Sequence, residues 1–263
     1  MDDRRIAIEA ELSEARGAQL CIAHARTALP HRDACSLAIA GGYANFLGPR
    51  SPLSEAVGVG VAESAGIADV DRIVEFYIAR GSVPRVVCGP HVDRALVEAL
   101  RARGFVPTAE QQLLVADLHA LDAEPDPRIA ERTDAAAWAR ATIEALAEDE
   151  PAPTEMIEFS ELLPRVPAVR ALEGREGEAI VAVGCLDVDG IVAGFFAGAT
   201  HPRHRGRGWQ SALIRDRIAR ARDAGARYGR ATVAPGSASH RNFRREGFVD
   251  AGTRTVWERR IRT

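Results

Sequence analysis

Residues Thr200 to Gly208 read Thr-His-Pro-Arg-His-Arg-Gly-Arg-Gly, a composition suited to holding a phosphate group. Glycines at 206 and 208 let the backbone approach a ligand closely. The segment lies between an apolar strand and an amphipathic helix, whose first-turn N–H groups and positive dipole end favour an anion. Arg203, Arg205 and Arg207 add charge that can reach phosphate oxygens. A nucleotide P-loop is excluded, because all 34 basic residues are arginine and the chain has no lysine. The same absence removes Schiff-base catalysis. Cys21, Cys35, Cys88 and Cys185 share no CxxC spacing. Neither a disulfide framework nor a metal site is expected, and the four read as small buried thiols.

Charge is distributed unevenly. Residues 201–263 carry 16 arginines against 5 acidic residues, a balance of +11, while the whole chain is formally −3 and residues 1–200 therefore −14. An anionic ligand on the carboxy-terminal part is the reading that fits. Nucleic acid is not expected as that ligand, since aromatics make up only 5% of the chain and no groove-reading motif occurs. With 263 residues, 46% of them hydrophobic, the sequence is that of a globular protein of one large or two compact domains. It contains no run of 18 apolar residues and opens on Met1-Asp2-Asp3, so neither a membrane span nor a secretory signal is expected, and the cytoplasm is the expected location.

Alternating strand and helix signals position the phosphate segment. His119 to Arg128 is acidic and contains Pro125 and Pro127, so it reads as the boundary between residues 1–122 and 128–263, with 123–127 as the linker. In the first half, Val70, Ile73, Val74, Tyr77 and Ile78 fall at helical spacing and Gly81 ends the helix. In the second, a helix capped by Thr133 or Asp134 and an acidic, proline-punctuated loop precede three strands, 169–173, 179–187 and 191–200. Hairpin loops at 174–177 and 187–190 join them. The helix from Gly208 to Ala224 buries Ile214, Ile218 and Ala221, with Asp216–Arg220 and Asp223–Arg227 pairs expected on its wet face. A strand at 228–233, a helix from Ser237 to Glu246 and a final strand close the chain. Both halves end in strand, helix, Gly-Phe-Val and strand, a weak internal repeat. A glycine-rich turn placed after three antiparallel strands is not a Rossmann site.

Arg203-x-x-Gly206-x-Gly208, with its preceding strand, following helix, later strand and Gly247-Phe248, resembles the GNAT family of acyl-CoA-dependent N-acyltransferases over about residues 128–263. The resemblance implies an α/β fold of tandem GNAT-like mixed sheets flanked by helices, with a complete GNAT fold in the carboxy-terminal half and a degenerate one in the amino-terminal half. It further implies acetyl-CoA as co-substrate and transfer of the acetyl group to a small amine by direct attack in a ternary complex. Backbone near Ala199 and Thr200 would align the pantetheine arm. Arg203, His204, Arg205, Gly206, Arg207, Gly208 and Trp209 would hold the pyrophosphate. Residues 235–248 resemble a bacterial subgroup with PGSxSxxN before the Gly-Phe; Ser237 reads as an N-cap, and Asn242 and Arg245 face either the cofactor or solvent.

One position departs from the family. Many GNAT enzymes carry a tyrosine four residues before that glycine as general acid, and here it is Phe243. For the base, a water relay, Ser239, His240 and His201 all stay open. In the first half, Glu63 and Asp69 follow the corresponding strand and would repel phosphates. Gly48-Pro49-Arg50-Ser51-Pro52-Leu53 resembles a turn of the same subgroup or is a plain surface turn. Acidic residues within 147–161 would suit a cationic amine acceptor, or form a solvated helix face. A silent CoA-binding protein is the competing reading, and a homodimer is left open.

Overall fold

The structure is a computed structural model that describes residues 2–132, 134–146 and 151–259. By packing it divides into two units, Met1–Leu113 with Ala251–Thr263, and Leu114–Asp250. The strands are β1 (Cys35–Ile39), β2 (Gly42–Phe46), β3 (Ala56–Val57), β4 (Arg85–Cys88), β5 (Phe105–Asp117), β6 (Ile129–Glu131), β7 (Val169–Glu176), β8 (Ala179–Asp189), β9 (Val192–Thr200), β10 (Tyr228–Val233) and β11 (Val249–Arg259). The helices are α1 (Asp3–Ala28), α2 (Ile67–Ile78), α3 (Arg94–Ala102), α4 (Ala135–Leu146), α5 (Thr154–Leu162), α6 (Trp209–Asp223) and α7 (Ala238–Arg245). The division falls inside β5, between Leu113 and Leu114, and β11 from Ala251 counts with the first unit. A continuous strand carries no break in composition, so nothing in the sequence marks the place.

In the first unit the sheet runs β1-β2-β3-β4-β11-β5. The Asp2 carboxylate caps α1 by accepting from Arg5 N at 2.8 Å. Of the periodic residues of α2, Val70, Ile73, Val74 and Tyr77 are buried, whereas Ile78 at the helix end is 47% exposed. Buried Arg254 of β11 donates to both oxygens of Glu14, at 2.9 and 3.0 Å. Beside them Glu11 of α1 is buried, and burial raises its carboxyl from 4.5 to about 7, with Arg254 opposing and Glu14 reinforcing the rise.

This displaced carboxyl has a consequence for stability. Between pH 4.5 and about 7 the unfolded chain gives up the Glu11 proton while the folded chain keeps it, so stability falls as pH rises across that window. Thermal melts from pH 5 to pH 8 are expected to show this fall, to which Glu55, also raised to about 7 by burial, contributes, and Glu11→Gln, which has no proton to lose, should reduce it. An unaltered profile in the variant would contradict the assignment.

The second unit's sheet runs β6-β7-β8-β9-β10 and ends on the last residues of β5. β7, β8 and β9 form an antiparallel meander. Gly177 and Gly190 take the positive φ its two tight turns require, +63° and +59°. β10 lies parallel to β9, and α6 covers the sheet with Leu213, Ile214, Ile218 and Ala221, all buried. Asp134 caps α4, accepting from Ala136 N and Ala137 N; the alternative, Thr133, lies outside the described residues. Of the two pairs expected on the wet face, Asp216–Arg220 forms, at 2.5 Å, but Asp216 is fully buried, and Arg227 meets Asp117 in place of Asp223.

Candidate functional site

The site is built on an irregularity in β9. Val183 pairs with Ala199 and Cys185 with Phe196, so Gly184 alone faces both Ala197 and Gly198. One extra residue is thus carried in β9, a β-bulge, and Ala197 takes φ +48° to accommodate it. On the other side, the register between β9 and β10 ends at Phe195 and Ala231. Beyond that pair the edge of Ala197–Thr200 facing β10 has no ladder partner among the described residues, and the two strands bound a wedge.

An ion pair fixes the strands just before they part. Asp187 of β8, Gly194 of β9 and Arg230 of β10 stand in register, and Arg230 Nη2 donates to Asp187 Oδ2 at 3.1 Å across the glycine. A Cβ on Gly194 would lie 2.1 Å from Asp187 Oδ1 and 2.5 Å from Arg230 Nη2, so only glycine admits the pair.

At the open end, a groove of about 650 Å³ lies between the end of β9, the start of α6, α7 and the end of α4. Ala199 and Thr200 line it, as do His204, Arg205, Gly206, Gly208 and Trp209, and α7 contributes Ser239, Asn242 and Arg245. Gly206 and Gly208 have φ +78° and +80°, and a Cβ on either would meet nothing within 4 Å. The glycines therefore serve the turn itself and leave the space above it open. Gly208 is the N-cap of α6, and no side chain caps that end, so the first-turn amides of Trp209, Gln210 and Ser211 face the groove without a side-chain partner.

The arginines divide differently from the expectation. Arg205 donates through Nε to Thr200 O and through Nη2 to Ala145 O, each at 3.2 Å, tying the end of α4 to the turn. Arg207 is held by Glu176 at 3.1 and 3.2 Å, and His204 Nδ1 sits 2.5 Å from the same carboxylate. Arg203 is exposed, and neither Arg203 nor Arg207 lines the groove. Arg245 does, with its guanidinium 3.1 Å from Asn242 Oδ1.

His240 is also redirected. Its Nδ1 accepts from Gly236 N at 3.0 Å and its Nε2 sits 2.8 Å from Asp250 Oδ1, so the ring fastens the start of α7 and lines neither the groove nor the wedge. Ser237 caps α7, its Oγ accepting from His240 N at 3.1 Å. His201 Nδ1 accepts from Arg203 N, a turn contact. Ser239 remains, lining both cavities.

Gln210 and Arg217 are functional candidates that the sequence reading missed. Gln210 Nε2 donates to Thr200 Oγ1 at 2.9 Å and lines both cavities. The wedge, about 340 Å³, is walled by Phe195, Phe196, Thr232, Ser239, Arg217 and Phe243. Phe243 packs edge-on against Phe248 and Phe195, with ring centroids 4.9 and 6.3 Å away. Among the described residues, no acidic side chain lines either cavity. Of the acidic stretch expected to attract a cationic acceptor, 147–150 lie outside the described residues, and Glu155 is buried.

The fold has counterparts among solved structures. A GCN5-related N-acetyltransferase from Kribbella flavida is similar over 98% of this chain and 96% of its own, with a TM-score of 0.68 and 16% identity. The fold is the GNAT fold. A tandem GNAT protein from the clavulanic acid biosynthesis pathway is similar over 78% of this chain and 71% of its own, at TM-score 0.55 and 12% identity. A functionally unknown conserved protein from Staphylococcus epidermidis covers 90% of this chain, with 98% of its own matched, at TM-score 0.56 and 12% identity. The sequence matches no family model and no curated protein. The expected class, GNAT-like mixed sheets flanked by helices, holds. No described helix of this GNAT fold is long and apolar enough to cross a membrane.

Proposed function

We propose that the chain is an acetyl-CoA-dependent N-acetyltransferase that transfers an acetyl group to a small amine. The observation that carries the reading is the uncapped amino terminus of α6, opening behind two left-handed glycines at the end of a bulged strand. The residues fit the group: the cradle offers backbone donors, the space above Gly206 and Gly208 is open, and Arg245 with Asn242 flanks it. Amides of Trp209, Gln210 and Ser211 would hold the pyrophosphate, and the unpaired edge of Ala197–Thr200 would align the pantetheine arm by strand-like hydrogen bonds. Acetyl-CoA supplies an acetyl group already activated as a thioester. What the protein adds is position and N–H groups aimed at the developing oxyanion, which is where most acceleration of such a reaction originates.

The amine's proton must leave during attack. His240 is committed to Gly236 and Asp250. Ser239, at the junction of groove and wedge, is the side chain placed to orient a water relay. The first unit, with Glu63 and Asp69 after its corresponding strand, is read as a degenerate GNAT-like half without a CoA site of its own, and the protein is placed in the cytoplasm. Release of free thiol from acetyl-CoA in the presence of a panel of primary amines tests the activity. Acceptor-dependent release is expected, and Ser239→Ala should lower kcat by about tenfold or more if it orients the relay, since such proton transfer contributes ~10²–10⁴-fold.

A second reading is favoured by Phe243, which puts a hydrocarbon where a general acid stands in many GNAT enzymes: a silent protein that binds CoA. Binding of acetyl-CoA without thiol release for any amine would select it.

A further inference from the structure

Arg217 is 1% exposed yet lines the wedge. Its Nε donates to Leu213 O at 3.0 Å, and its Nη1 reaches Cys185 O at 3.2 Å and Phe196 O at 3.4 Å, carbonyls on either side of the bulge. Its Nη2 is buried and makes no hydrogen bond. That nitrogen lies under Gly198, where a Cβ would be 3.6 Å from it and 3.5 Å from Gln210 Oε1, and Gly198 lines both cavities. A guanidinium donor left unpaired in the interior is costly, and one that borders a cavity is placed to be completed by what enters that cavity.

Arg217 also stacks over Phe195 and Phe243, 5.3 and 5.9 Å from their ring centroids. The groups bearing on its charge are the Cys185 thiol of β8 and Asp216 of α6, the latter already engaged by Arg220. Burial lowers its guanidinium to about 10, which still leaves it a cation at neutral pH. Being charged and not acidic, it can neutralise an anion and cannot readily give up a proton.

Resting on the acetyltransferase reading, we infer that Arg217 binds the sulfur of the leaving thiolate, supplying by charge what the missing tyrosine would supply by protonation. As the amine nitrogen bonds the acetyl carbon, the C–S bond breaks and its electron pair stays on sulfur opposite the guanidinium. The surplus proton on the product nitrogen passes to water.

The test compares CoA with desulfo-CoA, which lacks the thiol, by calorimetric titration from pH 6 to pH 9. A thiol near 8.5 whose anion is stabilised makes CoA bind tighter relative to desulfo-CoA as pH rises, approaching about tenfold for each unit its bound pKa falls once pH exceeds 8.5. For a one-unit fall, wild type is expected to show a preference of about threefold at pH 8 rising to about eightfold at pH 9. Arg217→Met should bring the two ligands within about twofold of each other, and Arg217→Lys should restore part of the preference. Should Arg217→Met fail to fold, the wild-type pH series stands by itself. A purely structural arginine would weaken both ligands equally in Arg217→Met. A wild-type ratio flat with pH while both ligands bind would overturn the inference alone. Failure of both ligands to bind wild type would overturn the acetyl-CoA reading and the inference with it.

Discussion

Gly206→Glu is expected to abolish acetyl-CoA binding, weakening it by at least about a hundredfold, while the protein remains folded. A side chain at this position meets no atom within 4 Å, so its structural cost is confined to holding a non-glycine residue at φ +78°. That costs about 1–2 kcal/mol. The functional cost is larger, because the carboxylate enters the space in which the cradle would hold phosphate oxygens, and it replaces attraction with repulsion. Charge-assisted hydrogen bonds are worth about 1.5–3 kcal/mol each, so forfeiting two of them passes a hundredfold. Calorimetric titration of the variant beside its thermal melt separates the two effects. Retained affinity would place the cofactor elsewhere, and a collapsed melt would show the turn to be structurally indispensable.

Asp187→Ala is expected to cost about 3–5 kcal/mol in chemical denaturation, because it removes the carboxylate paired with the buried Arg230 cation. The pair spans the sheet one rung before the last that joins β9 and β10. Its loss should therefore loosen the wedge as well, and weaken cofactor affinity in whatever fraction remains folded. Combining Asp187→Ala with Arg230→Met removes the buried cation as well and should recover most of the loss. A single variant as stable as wild type would show that water reaches Arg230 and compensates it.

How far these features could be read from the sequence depended on whether the signal was local. The turn at 200–208, the hairpin glycines at 177 and 190, the Ser237 cap and the apolar face of α6 were legible because each depends on residues within one or two turns of chain. The bulge at Ala197–Gly198 lies in an apolar run, where nothing marks an extra residue until the strand is set against β8. The Asp187–Gly194–Arg230 rung depends on the register of three strands and is invisible in any one of them. Arg217 had a signal that went unused. It lies four residues after buried Leu213, so the helical period already puts it on the covered face. The division inside β5 had none.

The most direct test of the account is titration of acetyl-CoA into the wild-type protein. Saturable binding with one equivalent per chain, lost in Gly206→Glu, is the predicted result. No binding by the wild type at millimolar acetyl-CoA would contradict the account, leaving a GNAT fold whose cradle holds no acyl-CoA.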